Sequence, residues 1–296
     1  MTLEQLRIFV QVAERQHLTQ AASALALTPS AVSSSIRALE EEFGTTLFNR
    51  VGRGIETNEA GRIFLLEARS TLASARRAEQ TLTELAGLKR GSLTLQASQT
   101  IASYWLPPLL VRFRQAYPQI DLDLTIGNTE SVARAVGEGA ADLGFVEGSI
   151  DAPALHIDEV AQDRIVVVVA PGHPWAKRRR LSAADLAAAE WIMREPGSGT
   201  RSTFASALHA IGVEVDALRV ALTLPSNEAV RSAVMAGHCA TVVSELVVAA
   251  DIKAGLLCKA HIELAPRAFY KLRHGERHRS RAAMALEQLI AANAKA

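Results

Sequence analysis

Apolar residues recur every three or four positions at the start of the chain. Leu3, Leu6, Phe9, Val10 and Ala13 form one stripe, the pattern of a helix with a single buried face. The stretch HLTQAASALALTPSAVSSSIRALEEEFG then predicts two short helices joined by a tight turn. Thr19 is placed to cap the first and Thr28 the second, with Pro29 at the first helical position, where its missing N–H costs nothing. Ala21, Ala22 and Leu25 give the first helix a small-residue face that permits a close crossing. Val32, Ile36 and Leu39 form the inward stripe of the second, which leaves Ser30, Ser33, Ser34 and Arg37 on its other faces. From Glu59 to about Leu88 a long periodic run through Ile63, Leu66, Leu72, Leu82, Leu85 and Leu88 follows, closed by KRG at 89–91. A helix of that length exceeds what so small a domain can bury and is expected to pair with a copy of itself, although its heptad is imperfect.

Beyond Gly91 the period changes. SLTLQAS reads as a strand, YWLPPLLVRFRQAYP as a helix and IDLDLTIGN as a strand; SVARAVGEGA, DLGFVEG and IVVVVAP continue the alternation. A second round begins near Trp191 with TFASALHAIG, VALTLPSN, EAVRSAVMAG and CATVVSE. Strands separated by helices of this length imply right-handed crossovers and a parallel-rich sheet. The expected organisation is a helical domain over 1–58, a linker and dimerisation helix over 59–90, and two α/β lobes flanking a cleft over 91–296. RHGERHRSR, residues 273–281, reads as a solvated loop before the closing helix RAAMALEQLI.

Composition adds mainly exclusions. With 296 residues the chain exceeds the usual single-domain size. Its formal net charge of +1 lends no support to nucleic-acid binding, and residues 1–90 carry eleven Lys or Arg against ten Asp or Glu. Any such role must come from local arrangement. The N-terminus does not read as a signal peptide, and the longest apolar run, RIVVVVAP at 164–171, is strand-sized. A cytoplasmic protein is expected. Cys239 and Cys258, the two cysteines, form no CxxC pair and are expected to be free thiols in buried or partly buried positions.

Short hydroxyls on an exposed helix can approach a major groove and exchange hydrogen bonds with phosphates and base edges. The following segment, LFNRVGRGIETNEAG, puts Arg50 and Arg53 on a glycine-containing hairpin beside that helix. A wing of this kind reaches the adjacent backbone or minor groove. The whole stretch LRIFVQVAERQHLTQAASALALTPSAVSSSIRALEEEFGTTLFNRVGRGIETNEAG resembles the DNA-binding domain of LysR-type transcriptional regulators. The likeness extends over essentially the entire chain. It implies an all-α winged helix-turn-helix N-terminal domain with a long linker helix, followed by a two-lobed α/β periplasmic-binding-protein-like effector domain. It also implies DNA-binding roles for Gln20 and Ala21 on the scaffold helix, for Pro29, Ser30, Ser33, Ser34 and Arg37 on the recognition helix, and for Arg50 and Arg53 on the wing. Phe48 belongs to the wing by resemblance, and a core anchor is its preferred reading.

In such a fold, ligands are expected where strand ends and helix starts of both lobes meet. Ser98, Gln99 and Thr100 sit between a strand and a helix, and three adjacent polar side chains exceed what a cap needs. In REPGSGTR, residues 194–201, Gly197 and Gly199 allow a tight path. Ser198 and Thr200 offer hydroxyls there, and Arg194 or Arg201 supplies positive charge. Asn227 and Glu228 open a helix bordering the cleft. Glu147 is open between repelling an anion, bonding a ligand hydroxyl and pairing with an arginine. The string at 194–201 resembles the branch of carbon-fixation and sulfur- or sulfite-assimilation regulators, whose effectors are small anions or phosphorylated metabolites. His238 and Cys239 depart from the family's glycine-rich turn and leave room for a different effector or for redox sensitivity, with a helix end and a buried strand as the preferred reading.

The glycine-rich loop lacks a P-loop lysine, no nucleophile elbow occurs, and the histidines, His274 and His278 included, show no zinc-ligand spacing. No enzyme, cofactor or metal is expected. The expected partners are double-stranded DNA, a small anionic effector, a second copy of the chain in a homodimer or homotetramer (a dimer of dimers), and RNA polymerase, with no membrane. The competing reading is a small-molecule binding protein without DNA-binding activity, its N-terminal helices serving only assembly.

Overall fold

The computed structural model describes residues 1–52, 54–85, 91–148 and 150–293. Its contacts divide the chain into two compact units, Met1–Leu88 with Glu138–Ala140, and Lys89–Gly137 with Ala141–Ala296. Arg53, Leu88, Lys89 and Arg90 lie outside the described residues.

In the first unit, α1 (Leu3–Arg15) starts in a capping box between Thr2 and Gln5 and buries Leu6, Phe9, Val10 and Ala13. Next come α2 (Leu18–Ala24) and α3 (Pro29–Phe43). Thr28 caps α3 by accepting from the Ala31 N–H, and Gly44 ends it at φ +62°. Thr19 does not cap α2 but lies inside it: the helix begins at Leu18, and His17 stands at its N-cap without a side-chain bond. The strands β1 (Phe48–Val51) and β2 (Gly54–Thr57) pair antiparallel as the wing. The 27-residue α4 (Glu59–Leu85) then begins under the core rather than beyond it. Phe64, Leu65, Ala68 and Leu72 pack with Phe9 and Leu39, whereas Ile63 at 62%, Leu66 at 46% and Leu82 at 69% stay exposed. Leu72 therefore leaves the expected pairing stripe for the core. Gly61 is required at the start of α4, because a Cβ there would lie 2.1 Å from the Leu47 carbonyl oxygen.

In the second unit, β3 (Gly91–Ser98) leads through one π-helical turn (Ile101–Trp105) into α5 (Pro107–Ala116). There follow β4 (Ile120–Gly127), α6 (Thr129–Glu138), β5 (Leu143–Glu147) and β6 (Leu155–Asp163). The chain crosses to the second lobe for β7 (Ile165–Val169), α7 (Ala183–Ala188), β8 (Glu190–Arg194) and α8 (Gly199–Ala210). That lobe continues with β9 (Arg219–Leu224), α9 (Asn227–Ala236), β10 (Thr241–Ser244), α10 (Glu245–Lys253) and β11 (Cys258–Lys259). It returns to the first lobe as β12 (Arg267–His274) and closes with α11 (Arg281–Asn293).

The first lobe's sheet runs β4-β3-β5-β12-β6, and Leu93, Leu95, Phe113, Phe145 and Phe269 fill its core with α5 and α11. Its β3 is parallel to β4 and β5, as the alternation implies, but β12 inserts antiparallel between β5 and β6. The all-apolar strand IVVVV is antiparallel to both neighbours, β10 and β11. In the second lobe β8 and β9 pair in parallel, and a parallel bridge links Trp191 to Ala240, the residue before β10. A strand buried on both faces reads the same in either direction, which is why periodicity could not set its sense. The expected basic loop is shortened too, since β12 extends to His274.

Candidate DNA-binding surface and effector cleft

Three helices, each too short to be stable alone, share one small core, and this sets α3 across α2 with its serine face outward. Pro29, Ser30, Ser34 and Arg37 are exposed and Ser33 is half-buried. The Thr28 and Ser30 hydroxyls lie 3.0 Å apart. Pro29, Ser33, Arg37 and Arg50 line a concavity of about 380 Å3 between the recognition helix and the wing. Gln20 is exposed on α2, outside that lining. Ala21 is 0% exposed and packs in the core; its small side chain allows the helix crossing and cannot reach DNA. Phe48 is half-buried with its ring centroid 5.4 Å from that of Phe9, an anchor for the wing.

One residue here escaped the sequence reading. Glu40, on α3, accepts from the backbone N–H groups of Leu47 at 2.6 Å and Phe48 at 3.3 Å. This carboxylate ties the wing to the recognition helix. A run of three glutamates offers no local sign that the first is folded under a hairpin.

In the two-lobed unit, the predicted residues converge. Ser98 ends β3, Gln99 and Thr100 open the π-helical turn, and Asn227 begins α9 on the opposite lobe. The Asn227 backbone N–H donates to Gln99 Oε1 at 2.6 Å, and its side-chain amide donates to Thr100 Oγ1 at 3.1 Å. Arg194 Nη1 donates to Asn227 Oδ1. Asn227 thus closes a buried network spanning both lobes. Arg194 is committed elsewhere as well, with Nε and Nη2 donating to Glu195 at 2.7 and 2.9 Å, so its charge is already paired. Arg201 donates one bond, Nη1 to the Arg194 carbonyl at 2.9 Å. Glu228 accepts from the Tyr104 hydroxyl at 3.3 Å; burial, then the Glu228 charge, raise the Tyr104 pKa above its ordinary value. Tyr104 lies on the π-helical turn, a distortion that tends to mark functional positions and that its sequence does not announce.

Glu147 resolves toward pairing. Its carboxylate accepts from Ser98 and lies 3.8 Å from Arg267 Nη1, both acid and base being almost wholly buried. Arg267 Nε also donates to Asp163 at 2.7 Å and its Nη1 to Thr200 Oγ1 at 2.9 Å; Ser244 donates to the other Asp163 oxygen at 2.7 Å. Neither Arg267 nor Asp163 was foreseen. The start of α8 presses into this cluster: a Cβ on Gly199 would stand 1.9 Å from the Glu147 carbonyl oxygen. Ser198, at the N-cap of α8, makes no side-chain cap bond, so the helix's first N–H groups are not satisfied by it.

Cys239 and Cys258 are free and half-buried. Burial, then Glu190, push the Cys239 thiol up, away from the thiolate that oxidation requires. Burial, then neighbouring His238, lower the pKa of His173. Among the described residues, no three His, Cys, Asp or Glu converge as metal ligands, and no helix is long and apolar enough to cross a membrane.

A winged helix-turn-helix joined to a two-lobed unit with polar side chains converging between the lobes is the architecture of a ligand-responsive DNA-binding regulator. Residues 3–62 match the bacterial regulatory helix-turn-helix protein family, lysR type, and residues 86–295 match the LysR substrate binding domain. The chain belongs to the LysR family of transcriptional regulators, a family of DNA-binding proteins and not of enzymes. A binding protein with DNA-inert N-terminal helices is thereby set aside.

The chain is 34% identical to the uncharacterised HTH-type transcriptional regulator YeiE of Escherichia coli, over 95% of this chain and 94% of that protein. It is 33% identical to the HTH-type transcriptional regulator CysL of Bacillus subtilis over 85% and 83%. The RuBisCO operon transcriptional regulator of Allochromatium vinosum is 32% identical over 99% and 97%. The crystal structure of the LysR-family regulator CbnR superposes over 100% of both chains with a TM-score of 0.71 at 23% identity. The Synechocystis CcmR regulatory domain, solved in complex with 2-PG, covers 70% of this chain and 98% of its own with a TM-score of 0.64 at 26% identity.

Proposed function

We propose that this regulator is switched by a small anionic effector held between the two lobes. The observation that carries the reading is the uncapped first turn of α8 at the lobe junction, where free N–H groups and the helix dipole favour negative charge. Arg201 stands in that turn, Ser198 and Thr200 flank it, and Ser98, Gln99 and Thr100 face it from the first lobe. Arg194, Asn227 and Glu228 form the far wall, and Glu147 is the paired carboxylate that limits how much negative charge enters. The regulatory domain solved in complex with 2-PG supports a small-molecule effector in a unit of this fold. Binding exchanges the direct bonds of Asn227 for bonds to ligand and changes the closure of the lobes, a shift between two states of one protein.

On DNA, Ser30, Ser33, Ser34 and Pro29 are the proposed major-groove contacts. Gln20, Arg37, Arg50 and Arg53 are proposed to engage the backbone or adjacent groove. The exposed Ile63, Leu66 and Leu82 on α4 support pairing with a second copy, as a homodimer or dimer of dimers. Such a protein works in the cytoplasm, with RNA polymerase as a further partner.

The test is binding to the promoter DNA adjoining its own gene, with sulfite, sulfate, phosphate and 2-PG each in turn, following affinity and footprint together. A footprint that shortens or shifts with one anion is the expected result. A footprint indifferent to every anion but responsive to a neutral metabolite would refute the anionic effector while leaving the regulator intact.

A further inference from the structure

The chain's one run of four consecutive cations, Lys177 to Arg180, has no part in either site above. It borders a groove of about 1560 Å3 on the second lobe, between the segment leading into α7 and the chain after β11. That volume is larger than the roughly 300–1,000 Å3 of a small-molecule site. Arg164, Arg178, Arg179, Arg180 and Lys259 all line it. Arg178 is held by Asp185 and Lys259 by Glu245. Arg164, Arg179 and Arg180 are exposed and carry no ion pair among the described residues. A charge run on a solvated face is ordinary; three unpaired arginines gathered at one groove, in a protein of net charge +1, concentrate positive potential where a partner can use it.

The rest of the groove decides what that partner is. Ile211 lines it at 49% exposure, together with the half-buried Ile262 and Leu264 and the exposed Pro266. After the edge strand β11 the chain from 260 to 266 has no regular structure and turns at His261, where the Ile262 N–H donates to the Ala260 carbonyl at 2.9 Å. Apolar side chains are of no use to a phosphate backbone, and the His261 imidazole is the one ring among the lining residues on which a base could stack. Unpaired arginines beside apolar side chains suit a peptide that combines acidic and aliphatic residues, its carboxylates on the arginines and its aliphatic side chains on Ile211, Ile262 and Leu264. We infer that this groove docks an acidic, aliphatic-rich segment of a partner protein.

The experiment uses the full-length protein and fluorescence polarisation of a labelled peptide of repeating Glu-Leu, with repeating Lys-Leu and sodium polyphosphate as comparisons. The Glu-Leu peptide should bind, weaken with salt, and lose about tenfold in affinity in the Arg179→Ala/Arg180→Ala variant, with most of it retained in Arg179→Lys/Arg180→Lys. Ile211→Glu, which places a carboxylate in the apolar wall, should weaken it independently. Thermal melting and promoter binding matching wild type show that each variant is folded. Equal peptide affinity in wild type, Arg179→Ala/Arg180→Ala and Ile211→Glu would overturn the inference in favour of a solvated charge face. Polyphosphate binding lost in the arginine variant, with no peptide binding, would overturn it in favour of a phosphate-polymer site.

Discussion

Asp163 and Arg267 stand opposite each other as register partners of β6 and β12, and their side chains pair at 2.7 Å. Asp163 is the last residue of β6 before the chain crosses to the second lobe, and Arg267 is the first residue of β12 after it returns. Both crossings are thus pinned by one buried ion pair, which Glu147, Thr200 and Ser244 surround with hydrogen bonds or charge.

Removing one member of such a pair strands the other. Asp163→Ala should lower stability by about 3–5 kcal/mol, whereas Asp163→Leu/Arg267→Met should recover much of that loss. Urea unfolding of the two variants, followed by circular dichroism, separates the outcomes; equal losses would show that the packing and not the pair matters.

Asn227→Ala should leave the Thr100 hydroxyl and one Arg194 nitrogen without their buried partner, at a cost of about 1–3 kcal/mol. It should also alter effector response, because the network joins the lobes. Isothermal titration with the active anion reads the second effect and a denaturant midpoint the first.

Gly199→Ala is expected to be more damaging to regulation than to folding. Its new methyl would stand 1.9 Å from the Glu147 carbonyl oxygen and 2.4 Å from Thr129 Oγ1, so the start of α8 must retreat from the first lobe. The expected result is retained promoter binding with the anion-dependent change of footprint lost, read by DNase protection.

At the capping box of α7, bonds from the Ser182 backbone and hydroxyl, and then from Arg178, lower the Asp185 pKa from 3.8 to about 2. A folded-state value below the unfolded one means that its stabilisation is complete above the ordinary aspartate range and disappears as pH falls through about 2. Asp185→Asn should therefore melt below wild type at neutral pH and converge with it in strong acid. A constant difference across an acid series of melting curves would contradict this.

For DNA, Arg50→Ala should weaken binding to all sequences alike and reduce the salt slope by about 1, while Ser33→Ala should shift preference among operator variants. Filter binding across salt concentrations and operator variants measures both. Unchanged affinity for the first, or an unchanged ranking of operators for the second, would count against the assigned contact.

Features that depend on neighbours within a turn or two were legible in the chain alone. The cap at Thr28, the tolerated Pro29, the inward stripe of Val32, Ile36 and Leu39, and the serine face left outside all follow from helical geometry over four residues. The same holds for the family motif and the strand–helix junction at Ser98 to Thr100. The remainder lies between residues far apart in the chain: Asn227 with Thr100 across 127 positions, Arg267 with Asp163 across 104. Strand sense was decided there too, since IVVVV is equally apolar read either way and only its neighbours β10 and β11 make it antiparallel. Ala21 looked available at its helix start until the helix crossing buried it. A local period reports which face of an element is buried; which distant polar group that face then meets is set by the order of strands and the path of the chain, and no short window of sequence contains that order.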